Sequence, residues 1–340
     1  MRKNLLALTG WLLMAVVPFA SAHHGFTGYY DSSKVIRIEG KVRKFAFINP
    51  HGVLELDAVS STGEHVVYVI DLQARSQMTR LGIDASFFKP GAPLTVECFQ
   101  AWSDPHRCEF GVGYFADGRS VTMRTIDKAE SVFAADLALD AVGSYAKTIF
   151  GSWIRAGMQG DASGTGPTTG QESITAAGKA VLAAFDPLTD NPVVHCMGGS
   201  PVRNWGAPGL ATAIFRKGGD IVIQHETMDI KRTIHMDRKT HPAGTKPSEM
   251  GHSIGHFEGE TLVVDTANFT AGVLNGTILK SDRMTMQERI SLNKDNGRLL
   301  ISWVVNDPTY YSRPITGSQQ LQRTGKKLLP YGCVPETRTR

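Results

Sequence analysis

Polar and apolar residues alternate through short runs over the first third of the chain, which is the period of β-strands. Turn signals such as Asn-Pro, Thr-Gly and Pro-Gly separate these runs and predict five strands. The segment Leu72–Leu81, stopped by Gly82, predicts one helix between the third and fourth strands. This order is typical of an OB-like barrel, which we predict for residues 23–126. The predicted strands are Val35–Ile48, Val53–Val59, His65–Ile70, Pro93–Phe99 and Phe110–Val121.

A helical connector is predicted for residues 127–186. Apolar residues between Ala129 and Ile154 recur at a spacing that places them on one side of a helix. The Gly/Thr/Ser-rich stretch Gln159–Gly170 has no periodicity and is typical of a flexible linker or exposed loop. A second short helix is predicted over Ser173–Phe185, and both helices are expected to pack between the two β-domains.

The C-terminal segment, residues 187–340, returns to strands spaced about ten residues apart, which predicts an antiparallel, lipocalin-like β-barrel. The chain is therefore predicted to be mainly β. About eight strands enclose an interior wide enough for one small ligand or for side chains that fill it. The predicted strands are Leu210–Arg216, Asp220–Glu226, Lys231–Met236, Gly251–Glu258, Thr261–Thr266, Met284–Leu292, Leu299–Asn306 and Gln319–Lys326.

Composition supports a folded protein and disfavours one class of partner. With 340 residues, 41% hydrophobic and 20% charged, the chain can bury a sizeable core. Its 36 Lys and Arg against 32 Asp and Glu leave a formal charge of only +4. Because phosphate backbones are gripped by dense positive charge, a nucleic-acid partner is not expected.

The N-terminus has the pattern of a secretory signal peptide. Arg2 and Lys3 precede the apolar stretch Leu5 to Val17, and the small residues Ala20-Ser21-Ala22 follow. The alternative is a membrane anchor, but the apolar run is shorter than the roughly 20 residues that cross a bilayer. We therefore predict cleavage of residues 1–22 after Ala22 and a periplasmic or secreted protein without an integral membrane segment.

Four cysteines suit an oxidising compartment. Cys98 and Cys108 flank the loop between two predicted strands, which favours a local disulfide across that hairpin. Cys196 would then pair with Cys333. Thiolate ligation of a metal is the alternative, but it is disfavoured because no Cys-x-x-Cys spacing occurs.

Candidate chemistry concentrates in the predicted strand Gly251–Glu258. Its period places His252, Ile254, His256 and Glu258 on one face, with Asp265 on the neighbouring strand. If this face points into the barrel, imidazoles and carboxylates share a confined space. The alternative is that these groups face solvent or hydrogen-bond one another.

An enzymatic function would use the same region. In a cofactor-free lyase, isomerase or hydratase, His252 or Glu258 would move a proton and Arg232 would steady an oxyanion. No His-Glu-x-x-His, Walker or dinucleotide motif occurs in the sequence. The zincin and nucleotide-binding classes therefore lose most of their support.

Copper is the cofactor that one pattern indicates. After the predicted cleavage the chain begins His23-His24, and an N-terminal histidine offers an amine and an imidazole nitrogen to Cu(II). His51, at a strand-to-strand corner of the same domain, is the candidate for a further ligand. The alternative is that the double histidine is accidental.

Several motifs resemble known but uncharacterised families. The first half, with His23-His24-Gly-Phe, Ile48-Asn49-Pro50-His51 and Phe88-Lys89-Pro90-Gly91, resembles an exported domain-of-unknown-function family of Gram-negative bacteria. The second half, with Gly251-His252-Ser253-Ile254-Gly255 and Glu258-Gly259-Glu260-Thr261-Leu262-Val263-Val264-Asp265-Thr266, is similar to an uncharacterised secreted module. It departs from that pattern at His256, where similar proteins usually carry Arg. The resemblance picks out Glu226, Arg232, Asp237, His241, His252, Glu258 and Asp265, together with His24 and His51.

Together these patterns favour an exported protein that binds a small ligand inside its C-terminal barrel rather than converting it. An apolar wall carrying a few polar groups is the usual form of a ligand site. The candidate ligand-binding residues are Glu226, Arg232, Asp237, His241, His252 and Asp265. The enzyme and the copper-binding protein remain the alternatives.

Overall fold

The computed structural model describes residues 29–60, 62–123, 146–155, 173–186 and 189–335 of the chain. Strands dominate, so the mainly β fold class is confirmed. The strands are β1 Tyr30–Ala46, β2 Val53–Val59, β3 His65–Asp71, β4 Pro93–Ala101, β5 Arg107–Phe115, β6 Ser120–Thr122, β7 Gly151–Ile154, β8 Ala211–Lys217, β9 Asp220–His225, β10 Lys231–His235, β11 His252–Glu258, β12 Thr261–Ala267, β13 Gly272–Asn275, β14 Ile278–Lys280, β15 Thr285–Leu292, β16 Leu299–Asn306 and β17 Ile315–Arg323. The helices are α1 Arg75–Arg80, α2 Ala176–Ala184 and α3 Pro201–Trp205, with 3₁₀ turns at Pro192–His195 and Thr227–Asp229.

The first sheet has the strand order β3-β2-β1-β4-β5-β6, and a parallel pairing of β3 with β5 joins its two sides. Helix α1 lies between β3 and β4 in the chain, as predicted, but it begins later than Leu72. The predicted strand Phe110–Val121 is two strands, because the chain turns at Gly118, whose φ is +85°. The interpretation of this unit as OB-like stays a prediction.

The second sheet is a closed barrel in the order β10-β11-β12-β15-β16-β17-β7-β8-β9. It therefore has nine strands, not the eight of the sequence prediction. The prediction of a wholly antiparallel barrel is also wrong at one pair, because β10 and β11 run parallel. The physical reason is geometric: strand directions cannot alternate all the way around a ring with an odd number of strands. Strands β13 and β14 form a separate hairpin that the sequence pattern did not predict.

The ninth strand, β7, corrects the predicted helix Ala129–Ile154. Residues 129–145 of that prediction lie outside the described residues, but Gly151–Ile154 is a strand paired with β8 and β17. Trp153 and Ile154 are both fully buried, Trp153 in the core of the barrel and Ile154 in the core of the first sheet. Successive side chains thus enter opposite cores, which a strand permits and a single amphipathic helix face does not. The predicted helix over Ser173–Phe185 is present as α2.

Both predicted disulfides are present. Cys98 and Cys108 join β4 to β5 and are fully buried in the first core. Cys196 and Cys333 join the segment between β7 and β8 to the segment after β17. The domain boundaries at residues 126 and 186 stay predictions, although β7 brings part of the predicted connector into the barrel wall.

The two sheets contact each other through buried polar groups. Arg80 of α1 forms an ion pair with Glu226, which directly follows β9, and both side chains are buried. Asn49 of the Ile-Asn-Pro-His motif accepts a hydrogen bond from the Ser76 backbone N–H at 3.1 Å and donates to the carbonyl of Tyr331. The motif therefore holds the segment at Tyr331 against the first sheet unit. None of the helices in the described part of the chain has the length and apolar character needed to cross a bilayer.

Candidate functional site

A buried polar network lies inside the nine-stranded barrel. Arg232 on β10 donates from Nε to Ser253 Oγ at 2.8 Å and from Nη2 to Thr266 Oγ1 at 2.6 Å. The same Nη2 forms an ion pair with Glu288 on β15. Each of these residues alternates with outward-facing neighbours and shares its face with core residues such as Ile234. The network is thus built on the apolar faces of four different strands.

The network continues to helix α3, whose Trp205 lies in the barrel core. Trp205 at the end of α3 donates from Nε1 to Glu288 Oε1 at 2.7 Å. Its ring also meets the ring of His225 edge to face at 5.0 Å. His225 Nδ1 lies 2.9 Å from Thr212 Oγ1 on the adjacent strand. Trp205 therefore contacts both Glu288 and His225 inside the barrel.

Burial keeps His225 neutral. Loss of hydration lowers its pKa to about 3, and the positive charge of Arg232 contributes to this lowering. An unfolded histidine has a pKa of about 6.5, so below that pH the unfolded chain binds a proton that the folded protein excludes. This contribution to stability is complete above about pH 6.5 and decreases as the pH falls towards 3.

We expect a measurable effect of this buried histidine on acid stability. Between about pH 6 and pH 4, His225 should make the free energy of unfolding fall by roughly 1.4 kcal/mol per pH unit. In His225→Gln, which keeps a polar group beside Thr212, that part of the slope should be missing. Urea unfolding of both proteins at a series of pH values tests this. Parallel pH profiles for the two proteins would show that His225 is protonated in the folded state as readily as in the unfolded chain.

Three buried nitrogens of the barrel lack hydrogen-bond partners among the described residues. They are Arg232 Nη1, His225 Nε2 and Trp303 Nε1. Trp303 pairs directly with Glu288 across β15 and β16, so its side chain shares the interior face. A buried donor without an acceptor costs about 1–3 kcal/mol, and such groups in native proteins usually have a partner. The barrel interior therefore offers unused donors beside an apolar wall.

The face of β11 that carries His252 and Glu258 points out of the barrel, which is the alternative that the sequence left open. Ser253 contacts Arg232 inside the barrel, so the alternate residues His252, Ile254, His256 and Glu258 point away. Gly255 explains why the opposite face of β11 points inward. A Cβ atom added at Gly255 would lie 2.6 Å from a methyl carbon of Ile234, so the inward position has no room for a side chain. Small residues face inward here, and the chemically active ones face outward. His252, Glu258 and Arg232 consequently do not form one catalytic site.

The outer face holds a cluster of histidines and aspartates. The ring of His252 stacks on His235 with centroids 5.0 Å apart, and its Nδ1 lies 2.9 Å from His241 Nδ1. His235 Nδ1 lies 3.1 Å from Asp220 Oδ2, and Asp237 reaches the same place. Three of the predicted ligand-binding residues, Asp237, His241 and His252, therefore meet on the outside of the barrel.

Electrostatics within this outer cluster favour neutral imidazoles. Burial lowers the pKa of His252, and the neighbouring His235, His241 and Arg238 lower it further. Burial also lowers the pKa of His241, while Asp265 acts in the opposite direction. Neutral imidazole is the form that accepts protons or binds metal ions.

The remaining predicted residues are scattered. Glu258 is exposed and accepts a hydrogen bond from Arg289 at 2.8 Å, which with His256 lowers its pKa. Asp265 accepts one from Gln287 at 3.0 Å on the outer face. Glu226 lies at the contact with the first sheet, where burial raises its pKa against the effect of Arg80.

The predicted copper ligands are divided between described and undescribed parts of the chain. His23 and His24 lie outside the described residues. His51 is half-buried in the segment between β1 and β2. The copper site stays a prediction.

Sequence reasoning missed several members of both clusters. Glu288 shares the apolar face Met286, Glu288, Ile290 of β15, so a carboxylate in an inward register was a readable signal. Asp220 begins β9 beside a turn and carried no comparable signal. Trp205 also had none, because its role depends on where α3 packs against the barrel.

The fold and its buried network define a class of mainly β protein: a closed barrel with a charged network inside, joined to a second β-sheet unit. A comparison with known protein families finds a match for the first part of the chain. The pattern of DUF6152, a family of unknown function, matches residues 12–107, so a domain of this family lies in the first part of the chain. The predicted resemblance to a domain-of-unknown-function family is thereby confirmed for that segment.

Other comparisons add little. A search of curated proteins finds no match. Among solved structures, a mutant of the fluorescent protein UnaG aligns with 52% of this chain and 96% of its own length, at 11% identity and a TM-score of 0.24. A likeness at that score is too weak to support a conclusion about this protein.

Proposed function

We propose that this is an exported protein whose nine-stranded barrel binds a small, mostly apolar molecule through a hydrogen-bond acceptor of that molecule. The observation that carries the proposal is a set of buried nitrogens without partners in the part of the chain that the structure describes, namely Arg232 Nη1, His225 Nε2 and Trp303 Nε1. A carbonyl or carboxylate oxygen placed beside Arg232 would satisfy a donor that the barrel itself leaves unpaired.

The surroundings support an apolar body for such a ligand. The inward faces of the barrel strands carry mainly aliphatic and aromatic residues. Apolar walls with a few fixed polar groups are typical of small-molecule sites. The Arg232–Glu288 pair is held by Ser253, Thr266 and Trp205, so the guanidinium has a defined orientation before any ligand arrives.

Two features of the chain support export. Both disulfides fit an oxidising compartment, and the N-terminal pattern is that of a cleaved leader. We do not propose an enzyme built from His252, Glu258 and Arg232, because Arg232 lies inside the barrel and the other two lie outside it.

Native mass spectrometry of protein purified from its own periplasm tests the proposal. We expect a bound molecule of defined mass, and a stabilising thermal shift with some members of an apolar library that carries carboxyl or carbonyl groups. The double variant Arg232→Met/Glu288→Met removes the charged pair together and should lose the bound molecule. His256→Ala, on the exposed outer face, is the matched control and should retain it.

Two results would contradict this function. One is a consistently empty barrel together with no thermal shift across the library. The other is a bound molecule that the Arg232→Met/Glu288→Met variant retains at wild-type occupancy, which would place the ligand elsewhere.

A further inference from the structure

The outer cluster joins three strands that are consecutive around the barrel wall. Asp220 begins β9, His235 ends β10, and Asp237 follows two residues later. One potential ligand atom from each of the three side chains lies within 4.8 Å of the other two. His235 and Asp220 are only half-buried, with about 27% and 30% of their side chains exposed, so an ion can reach them from solvent.

Two further histidines adjoin this trio. His252, which begins β11, stacks on His235 with an interplanar angle of 21°. His241, from the segment between β10 and β11, approaches edge to face and brings its Nδ1 to 2.9 Å from Nδ1 of His252. The parallel pairing of β10 and β11 requires this long connection, and the connection carries His241 back to the two strands.

The spacings match those between ligands of one metal ion. Imidazole nitrogens bind zinc at about 2.0–2.1 Å, so two ligands at right angles lie about 2.9 Å apart and two at a tetrahedral angle about 3.4 Å apart. His235 Nδ1 and Asp220 Oδ2 are 3.1 Å apart, between these two values. In addition, two carboxylates balance the charge of one divalent ion.

We propose that Asp220, His235 and Asp237 bind one divalent transition-metal ion on the outer face of the barrel, with the ring of His252 stacked on His235 beside the site. Mixed imidazole and carboxylate donors suit zinc and its neighbours in the first transition row. Calcium and magnesium prefer sites made of oxygen alone. The site is separate from the barrel interior, so it does not depend on the proposed ligand-binding function.

Competition titration with Zn²⁺ and a chromophoric chelator tests the site. The protein is the full mature chain with His23 and His24 replaced by alanine, so that the predicted N-terminal copper ligands do not contribute. We expect one Zn²⁺ per chain. His235→Ala and Asp220→Asn should each weaken binding by more than tenfold, and His252→Ala should also weaken it. His256→Ala, four residues along the same outward face and paired with Glu258, should leave affinity unchanged.

Thermal unfolding distinguishes an effect of a substitution on metal binding from an effect on folding. Thermal unfolding without metal should be similar for wild type and Asp220→Asn, whereas added Zn²⁺ should raise the unfolding temperature of the wild type alone. X-ray absorption of the zinc complex should show only nitrogen and oxygen ligands. Absence of stoichiometric Zn²⁺ binding, or equal affinity in wild type, His235→Ala and Asp220→Asn, would overturn the proposal.

Discussion

Replacing Cys196 and Cys333 by serine is expected to lower the free energy of unfolding by about 5 kcal/mol, the largest single effect that we predict. The two residues are 137 positions apart, so their bond closes almost the whole barrel into one loop. Most of the stabilisation arises because the cross-link restricts the unfolded chain. The loss is comparable to the whole stability of a marginal domain.

Other contacts near Cys333 do not depend on the disulfide. The adjacent chain is also held by Asp229, which accepts the backbone N–H of Tyr331 at 3.0 Å, and these hydrogen bonds do not need the disulfide. Mild reduction of the wild type should open this partly exposed bond before the fully buried Cys98–Cys108 bond and reproduce the loss. Urea unfolding under oxidising and reducing conditions measures both effects. A serine variant within about 1 kcal/mol of wild type would contradict the loop-closure explanation.

Replacing Arg232 by methionine should destabilise the protein by about 3–5 kcal/mol. The Arg232 side chain is 2% exposed and its partner Glu288 is fully buried, so the substitution leaves a carboxylate in the barrel without its counter-ion. Among the described residues, the N–H of Trp205 is then the one remaining donor to that carboxylate. Urea unfolding at neutral pH measures the change.

A double variant and an exposed control distinguish charge from packing. Arg232→Met/Glu288→Met removes both charges and should regain most of the lost stability, because apolar residues of similar size can replace a buried ion pair. Arg289→Met removes the ion pair between Arg289, on the outer face of β15, and Glu258, and should have a much smaller effect because both side chains are exposed. A double variant that is less stable than Arg232→Met alone would mean that packing or hydrogen bonds, rather than the unpaired charge, dominate.

The strand periods made much of the fold predictable. Five strands with a helix between the third and fourth, followed by the barrel strands, could be located because alternation and turn residues are local signals. The prediction of a helix around Trp153 was wrong for a physical reason. Its residues are apolar on both faces because β7 lies between two cores, and such a run does not distinguish a buried strand from a helix.

The sequence by itself determined which residues carry chemistry and how the cysteines pair. Their type, even number and position beside turns are properties of the chain alone. Only the tertiary structure decided which face of β11 enters the barrel, and therefore that His252 lies outside with His235 while Arg232 lies inside with Glu288. An alternating strand has two faces, and the covered face is set by packing against distant strands. Here Ile234 leaves no room for a side chain at Gly255, so the small residues point inward.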